Sequence, residues 1–500
     1  MLNVGGLQVV VNRCPEVGTS ALPLLLQPLF RALPVRCAVA GCGGDDQLTA
    51  VSYSSVVAPG GLPLAGHSLA LVRSPLDFIA GLADHGDLVR IGLGPHRAYV
   101  ACHPGLVRDL LTDDRTFDKG GPLFDKLREV VGGGLASCPA PAHRRQRRLV
   151  QPAFHRERMP GYARMMAEEI AAATASWRHG EVLDVPAAMY RLTTAITARC
   201  LFTVEARADG LPLHESMDIV TQGLVRRLMV PAPGVDRLPT PGNRRFRHAR
   251  AGLRDLTDRL IAEYRASGAD RHDLLSMLLA AEGDDGRGLA DSEIHDQVVT
   301  FLLAGMETTA SLLTWAWYLL DTHPAVREQL HAEVDEVLGG RPAGHADLPA
   351  LGVTGRILAE TLRLYPPAWL LTRATTRDTE LGGHPLRAGT TVMFSPYLLH
   401  RRADVFPDPE RFDPDRWLSA PKTPPGAFTP FGAGARRCIG DTFGLIEATL
   451  ALAGIAGTWQ LTAVPGQRVR PALSAVLTPR AFSARLTRRR PAPGTGATTV

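Results

Sequence analysis

The chain has 500 residues, of which 45% are hydrophobic and 21% charged, and its formal net charge is +5. This is an ordinary globular balance that excludes global disorder, and the charge is too slight to indicate a nucleic-acid-binding protein. Seven scattered cysteines without a CxxC pair argue against a zinc ribbon or a dithiol redox centre and favour a reducing cytoplasm.

The first 57 residues are rich in glycine, proline and small side chains and show no sustained periodicity. Residues 21–35 are apolar, but prolines, a glutamine and an arginine interrupt a run that is already shorter than the ~20 apolar residues needed to span a bilayer. We interpret residues 1–57 as a disordered extension without a transmembrane anchor, with a peripheral membrane contact as the alternative. Residues 488–500 are interpreted as a disordered tail.

Helical patterns dominate the rest of the chain. Residues 87–104 alternate around a Gly-Pro pair and predict a β-hairpin. Residues 292–322 run without a proline and are apolar nearly all round, which predicts a buried helix roughly 45 Å long. Strand-like segments return at 368–395 and 472–486. Because the composition shows no break, we expect one mainly α-helical domain with a small β portion over residues 58–487.

One cysteine has surroundings unlike those of the other six. In "FGAGARRCIG" (431–440) the glycines permit tight turns, Arg436 brings a cation near the thiol of Cys438, and the predicted helix that follows favours a thiolate. A cysteine protease is disfavoured because no histidine follows Cys438, and a structural cysteine would not need three glycines. A thiolate axial ligand to haem iron fits the loop best.

The long helix contains a polar interruption, "AGMETTA" (304–310). A buried acid such as Glu307 is costly unless it has a role. Ala304 and Thr308 lie one turn apart on one face, and the threonine can bond the carbonyl of the preceding turn. A core helix with a polar interruption is the alternative interpretation.

Two further segments carry charge in a helical pattern. "HRRQRRLVQPAF" (143–154) places His143 and Arg147 on one face, although a solvated basic helix or a weak nucleic-acid patch would show the same pattern. "AETLRLYPP" (359–367) contains a glutamate and an arginine three residues apart, and "PERF" follows at 409–412.

In their order along the chain, from 143–154 through 304–310, 359–367 and 409–412 to 431–440, the five segments resemble the motifs of the cytochrome P450 family. The cysteine loop of that family has the pattern Phe-Gly-x-Gly-x-Arg-x-Cys-x-Gly. The resemblance covers residues 58–487. It implies the family's triangular, mainly α-helical fold with a small β portion, built around a long central helix. It also implies haem b (iron protoporphyrin IX) as cofactor, with Cys438 as axial ligand of the iron.

The resemblance also implies roles for individual residues. Glu307 and Thr308 would relay protons during oxygen activation. The other haem contacts would be His143, Arg147, Ala304, Arg373, Phe431, Arg436 and Gly440. A buried structural triad would consist of Glu360, Arg363 and Arg411. The substrate pocket would include Phe301, Leu302, Ala368, Trp369 and Leu370, together with residues 472–478.

The implied reaction inserts one oxygen atom from O2 into a lipophilic small molecule. "HRRQRRLVQPAFHRERMPGYA" and "RLPTPGNRRF" are similar to actinobacterial members that oxidise terpenes, which favours a sesquiterpene-type substrate of secondary metabolism. Fatty acids, polyketides and a peroxide-dependent or isomerase activity remain open. Because no electron-transfer module is expected in the chain, a separate ferredoxin and its NAD(P)H-dependent reductase would supply electrons to a cytoplasmic monomer. Arg144, Arg145 and Arg148 would attract an acidic donor.

Overall fold

The computed structural model describes residues 3–4, 7–8, 52–202, 207–208, 211–229, 238–268, 273–281, 288–418, 423–473 and 476–489. Most of the two predicted flanking segments therefore lies outside the described residues. Residues 55–57, which we had placed in the extension, form a strand parallel to Leu88–Leu93. At the other end, the last strand continues to Arg488, one residue beyond the predicted domain.

The helices account for most of the described chain. In chain order they are Ser68–Arg73, Pro75–Gly81, Pro104–Thr112, Pro122–Val131, Ala140–Val150, Met159–Ala175, Val185–Phe202, Leu213–Met229, Pro241–Ser267, Leu274–Ala280, Asp291–Thr322, Pro324–Leu338, Gly352–Leu364, Pro396–Leu399 and Asp441–Thr458. The fold is thus mainly α-helical, as expected.

The strands form several small sheets. The largest has the order Ser55–Val57, Leu88–Leu93, His96–Ala101, Thr391–Phe394, Leu371–Thr375, Phe117–Asp118, and its second and third strands form the predicted antiparallel hairpin. A three-stranded sheet joins Trp459–Ala463, Ser483–Arg488 and Val182–Asp184. Two-stranded pairs are Thr379–Leu381 with His384–Leu386, Arg470–Leu473 with Leu477–Arg480, Asn3–Val4 with Leu7–Gln8, and Arg207–Ala208 with Leu211–Pro212.

The helix Asp291–Thr322, hereafter the central helix, begins one residue before its predicted start and ends at the predicted residue. It packs against Val185–Phe202, Gly352–Leu364 and Asp441–Thr458. Among the described residues it is the one helix long and apolar enough to cross a membrane, but 78% of its most apolar window is buried inside the protein. It is therefore the core helix that its all-round apolar sequence predicts.

Two apolar cores meet at the cysteine loop, residues 428–440. One core surrounds the central helix, and Phe431 and Ile439 of the loop pack against it. The other lies on the largest sheet, and Ala433 of the same loop packs there. The loop therefore lies at the junction of the helical part and the largest sheet.

Candidate active site

Backbone geometry fixes the cysteine loop. The Cys438 N–H donates to the Phe431 carbonyl oxygen over 2.9 Å. Gly432 and Gly434 have φ angles of 69° and 66°, in the left-handed region that favours glycine. A Cβ on Gly434 would lie 2.2 Å from the Leu111 carbonyl oxygen, so this glycine is required by the neighbouring helix Pro104–Thr112.

Gly440 differs from these two glycines. A Cβ there would lie 3.8 Å from the Phe154 ring, which is an ordinary contact. Its contribution comes from its backbone, because its N–H hydrogen-bonds the Cys438 sulfur and lowers the pKa of the thiol. It immediately precedes the helix Asp441–Thr458, which begins at the residue predicted for it.

Cys438 is the exposed thiol among the cysteines that the structure describes, whereas Cys102, Cys138 and Cys200 are buried. Protein atoms nevertheless surround Cys438 closely enough to raise the pKa of its thiol by desolvation, with the Gly440 N–H, Arg147 and Lys119 acting in the opposite direction. Such a thiol suits coordination, since metal binding removes its proton outright.

Arg436 is held in place by partners within the protein. Its guanidinium forms a buried ion pair with Asp118 and donates to the Cys138 carbonyl oxygen over 2.8 Å. Arg147 and Lys119 are the cations that lower the pKa of the Cys438 thiol most strongly. That Arg436 favours the thiolate stays a prediction.

Beside the cysteine, the fold gathers cationic groups from separate elements. His143 and Arg147 come from the helix Ala140–Val150, Arg373 from the strand Leu371–Thr375, and Arg436 from the loop. The Arg147 guanidinium links its helix to the cysteine loop, because it donates to the Arg437 carbonyl oxygen over 2.6 Å. The structure thus places these four sequence-predicted residues at one site.

This cluster is short of negative charge. Burial, followed by repulsion from Arg436 and Lys119, lowers the pKa of His143 to about 3. Burial and Arg436 lower the pKa of Arg373 to about 10. Among the described residues, the buried His143 Nδ1 and Arg436 Nε have no hydrogen-bond partner. Unsatisfied buried donors in an excess of cations indicate an anionic ligand, and the two propionates of haem fit it.

Lys119 belongs to the same cluster, and sequence reasoning missed it. Its ammonium donates to the Ala136 carbonyl oxygen over 2.7 Å. Burial, followed by Arg373 and Arg436, lowers its pKa to about 7. One signal was present in the sequence, because Lys119 is one of three lysines in a chain that otherwise uses arginine.

The polar interruption of the central helix has the geometry that its residues predict. The Thr308 hydroxyl donates to the Ala304 carbonyl oxygen over 2.8 Å. Ala304 is exposed although it lies midway along a mostly buried helix, so this face borders an opening. Glu307 is buried, and desolvation raises the pKa of its carboxyl to about 7. From the neighbouring helix, the Thr193 hydroxyl donates to the Met306 carbonyl oxygen over 2.8 Å.

A second buried acid, Glu447, lies behind the same stretch of helix. It is 1% exposed, and burial raises the pKa of its carboxyl well above the usual value, with Thr309 opposing the shift. Burial therefore favours the protonated form of this carboxyl. An acidic residue within "FGLIEATLALA" was the signal that sequence reasoning passed over.

The structural triad forms, but with a different third member. Arg363 pairs with Glu360 over 2.8 Å, and both side chains are fully buried. Arg411 is exposed, and only its backbone carbonyl oxygen accepts a bond from Arg363. The second guanidinium at Glu360 belongs to Arg416, at 3.4 Å, and the Trp417 indole N–H donates to the same carboxylate over 2.9 Å. The assignment of Arg411 was wrong because "PDRW" (414–417), not "PERF", lies against Glu360.

The predicted pocket residues divide into two groups. Ala368, Trp369 and Leu370 are half-buried, and the last two pack on the core of the largest sheet. Leu302 is buried in the helical core, where it lines a small internal cavity together with Phe202 and Leu256, and its place in the substrate pocket stays a prediction.

Phe301 also packs against protein. Its ring lies against the Phe154 ring at a centroid distance of 5.3 Å, with the two planes tilted by 32°. On the central helix, Phe301 comes three residues before Ala304 and seven before Thr308, so it lies on the face that those two residues share.

Two of the three arginines expected to attract an electron donor form ion pairs. Arg144 lies 3.8 Å from the Asp114 carboxylate. Arg145 pairs with Glu293, near the start of the central helix, over 3.0 Å. Arg144 and Arg148 are exposed on the helix Ala140–Val150. The predicted basic surface is therefore smaller than the sequence suggested.

Comparison with known proteins agrees with this geometry. The cytochrome P450 family model matches residues 58–483. Cyclooctatin synthase of Streptomyces melanosporofaciens is 50% identical over 424 residues, which are 84% of this chain and 92% of that protein. Cyclooctat-9-en-7-ol 5-monooxygenase of the same organism is 48% identical over 420 residues, covering 83% and 91% of the two chains. Pentalenene oxygenase of Streptomyces avermitilis is 46% identical over 444 residues, covering 88% and 99%. The chain belongs to the cytochrome P450 family: it is a monooxygenase that binds haem b and uses O2, redox partners and a lipophilic substrate.

Proposed function

We propose that the protein oxidises a terpenoid of secondary metabolism, using electrons from a separate ferredoxin and its NAD(P)H-dependent reductase. The observation that carries the proposal is the exposed Cys438 thiol beside a cluster of cationic groups in which, among the described residues, Arg436 alone has an ion-pair partner, Asp118. The similarity to cyclooctatin synthase, cyclooctat-9-en-7-ol 5-monooxygenase and pentalenene oxygenase over more than four-fifths of the chain supports the terpenoid substrate class.

The residues that would hold the haem come from both cores. Cys438 would ligate the haem iron through its thiolate, and His143, Arg147, Arg373 and Lys119 would receive the propionates. Arg436 has one free donor for the same purpose, its Nε, while the rest of its guanidinium holds Asp118 and the loop in place. When bound through a thiolate, haem supplies the activation of O2, because electron donation from sulfur favours cleavage of the O–O bond.

Thr308 and Glu307 supply protons from the central helix. The Thr308 hydroxyl, bonded to the Ala304 carbonyl oxygen, has its lone pairs free to accept a proton-donating partner on the exposed face. With a pKa of about 7, the Glu307 carboxyl carries a proton about half of the time at neutral pH. A carboxyl poised near the working pH is suited to proton transfer in both directions.

Apolar groups favour a lipophilic substrate. Trp369 and Leu370 are half-buried at the start of the strand Leu371–Thr375, and Leu303 lies on the central helix beside Ala304. Pockets of this composition bind by burial of apolar surface and orient the ligand with few polar groups. A cyclic terpene hydrocarbon, or its hydroxylated derivative, fits this chemistry.

The electron donor would bind on the basic helix Ala140–Val150. Arg144 and Arg148 are exposed there, on the same helix as the cofactor residues His143 and Arg147. An acidic ferredoxin would be steered to such a surface, and its rate of association would fall with added salt. We further propose that the protein acts as a cytoplasmic monomer.

A substrate screen tests the proposal. The purified haem protein is titrated with cyclic terpene hydrocarbons and alcohols, with fatty acids as the comparison class, and the spin-state shift of the haem spectrum is recorded. Compounds that bind are then incubated with a surrogate ferredoxin, its reductase and NADPH. We expect an oxygenated terpenoid whose formation requires the reductase. Oxidation of fatty acids alone, or turnover without any reductase, would refute the proposal.

A further inference from the structure

A pocket of about 250 Å³ lies where three helices and two strands meet. The helices are Met159–Ala175, Pro324–Leu338 and Asp441–Thr458, and the strands are Trp459–Ala463 and Ser483–Arg488. An apolar cavity of about 150 Å³ holds one benzene molecule, so this pocket has room for an apolar body of about ten carbon atoms.

The pocket is separate from the haem site. The helix Asp441–Thr458 begins close to Cys438 in the chain and contributes Leu450, Gly457 and other residues of its second half to the pocket wall. From Asp441 to Gly457 the helix rises by about 24 Å. A molecule bound in the pocket would therefore not contact a haem ligated by Cys438.

The inner wall of the pocket is apolar. Ile170, Val334 and Leu338 are buried there. Two aromatic rings also line the pocket, because Trp177 and Trp459 lie with their ring centroids 6.2 Å apart. Such a wall binds a ligand through burial of apolar surface.

Two glycines of the helix Asp441–Thr458 keep part of the pocket free of side chains. Gly454 and Gly457 are three residues apart, so they lie on one face of the helix. A Cβ on Gly457 would make only an ordinary contact, 3.8 Å from Leu338 Cδ1, so packing does not require glycine at this position. Alanine would favour the helix more than glycine does.

The rim of the pocket carries one cation in excess. The Asp335 carboxylate pairs with Arg489 over 2.8 Å, and Arg341 donates to the Asp347 carboxylate over 2.7 Å. Arg488 also lines the pocket, is exposed, and forms no ion pair with any residue that the structure describes. A ligand that enters the pocket therefore meets a net positive charge.

A hydrogen-bond donor without an acceptor lies beside this cation. Trp459 is 4% exposed, and its indole Nε1 has no hydrogen-bond partner within the described part of the chain. Trp459 and Arg488 lie directly opposite each other in their antiparallel strands, so their side chains are on the same face of the sheet. A buried N–H is costly without an acceptor, and a donor next to a cation indicates an anionic acceptor.

We propose that this pocket binds a small lipophilic carboxylate. The apolar body of the ligand, with about ten carbon atoms, lies against Leu338 and the two tryptophan rings. Its carboxylate accepts hydrogen bonds from the Arg488 guanidinium and the Trp459 indole N–H, and the pairing with arginine is charge-assisted. A neutral molecule of the same shape keeps the apolar contacts and loses the ion pair. The proposal is independent of the substrate and the electron donor of the proposed function.

Fluorine NMR of the haem protein labelled with 5-fluorotryptophan tests the proposal. The probe is 1-adamantanecarboxylate, a compact hydrocarbon cage with one carboxylate, and 1-adamantanecarboxamide is its neutral counterpart. Trp177→Phe and Trp459→Phe identify the two resonances, and the haem spin state recorded in the same samples reports binding in the substrate pocket. We expect the carboxylate to shift both resonances to saturation, with a Kd about tenfold below that of the carboxamide.

Three variants separate the charge of the site from its volume. Arg488→Gln should raise the Kd of the carboxylate about tenfold and leave that of the carboxamide unchanged. Gly457→Leu should fill the pocket and abolish binding of both molecules, whereas Gly457→Ala, the matched control, adds one methyl group and should retain binding. The CO spectrum and the urea midpoint show whether each variant is folded, and Arg488→Gln decides alone if Gly457→Leu does not fold.

Several results would overturn the proposal. The absence of any shift of the Trp177 and Trp459 resonances would exclude the site, and equal affinities for carboxylate and carboxamide would exclude the ligand class. Shifts that persist in a folded Gly457→Leu protein would place the ligand elsewhere. Because none of these measurements uses turnover, failure of the terpenoid screen would leave their outcome unchanged.

Discussion

Replacing Glu360 by glutamine is expected to destabilise the folded protein by about 3–5 kcal/mol, the usual effect of breaking a buried ion pair. Glu360 and Arg363 are fully buried, and the carboxylate accepts from Arg363 Nε at 2.9 Å and Nη2 at 2.8 Å. It also accepts the Trp417 indole N–H at 2.9 Å and the Asp413 backbone N–H at 3.1 Å. A neutral amide leaves the charge of Arg363 uncompensated and turns one acceptor into a donor.

The third member of the structural triad, Arg416 in place of Arg411, gives a second test of the same ion-pair network. Arg416→Leu removes a guanidinium that is 10% exposed and lies 3.4 Å from Glu360, and it should cost about 1.5–3 kcal/mol. Arg411→Leu removes an exposed side chain whose backbone carbonyl oxygen still accepts from Arg363, so the change should stay within about 0.5 kcal/mol.

The assay compares urea midpoints and haem content of the purified variants. We expect Glu360→Gln to yield the least haem protein, Arg416→Leu an intermediate amount, and Arg411→Leu as much as wild type. If Arg411→Leu were as damaging as Arg416→Leu, the placement of the segment 407–417 against Glu360 would be wrong. Normal haem content and stability in Glu360→Gln would refute the reasoning altogether.

Three further predictions concern the active site. Thr308→Ala should retain haem and its CO spectrum but release peroxide in place of product, and full coupling measured as product per NADPH would contradict the proton role of Thr308. Because the pKa of the Glu307 carboxyl is raised to about 7, the protonated fraction of this group falls as the pH rises through that value. Product formed per NADPH should therefore depend on pH near 7 in the wild type and be independent of pH in Glu307→Gln. Equal pH profiles in the two proteins would exclude Glu307 as a proton donor. The double variant His143→Ala/Lys119→Ala should lose haem to apomyoglobin faster than the wild type, whereas Arg144→Ala, at an exposed position, should not. Equal rates of haem loss in the double variant and the wild type would contradict the assignment of His143 and Lys119 to the propionates.

Much of the fold was predictable because its strongest signals are local. The central helix has no proline until Pro324, so its end was placed at Thr322. The Gly-Pro punctuation at Gly94 fixed the hairpin turn. In the cysteine loop, glycines at required left-handed positions surround one thiol, and this pattern predicts a ligand without any tertiary information.

The errors came from information that only the folded chain contains. "PERF" and "PDRW" both place an arginine before an aromatic residue, and their order along the chain does not decide which guanidinium reaches Glu360. The side of the central helix on which Leu302 lies could not be predicted, because a helix that is apolar all round has no stripe that orients its faces. Lys119 and Glu447 were missed because burial, which perturbs their pKa values, is set by distant elements.

The CO difference spectrum of the reduced haem protein tests the central claim most directly. Cys438 is the exposed thiol of the described chain, and we assign it as the axial ligand of the haem iron. Wild type should show the red-shifted Soret band of thiolate-ligated haem, and Cys438→Ser should lose this band while Cys138→Ser, a buried cysteine nearby, retains it. A red-shifted band that persists in Cys438→Ser would contradict the account.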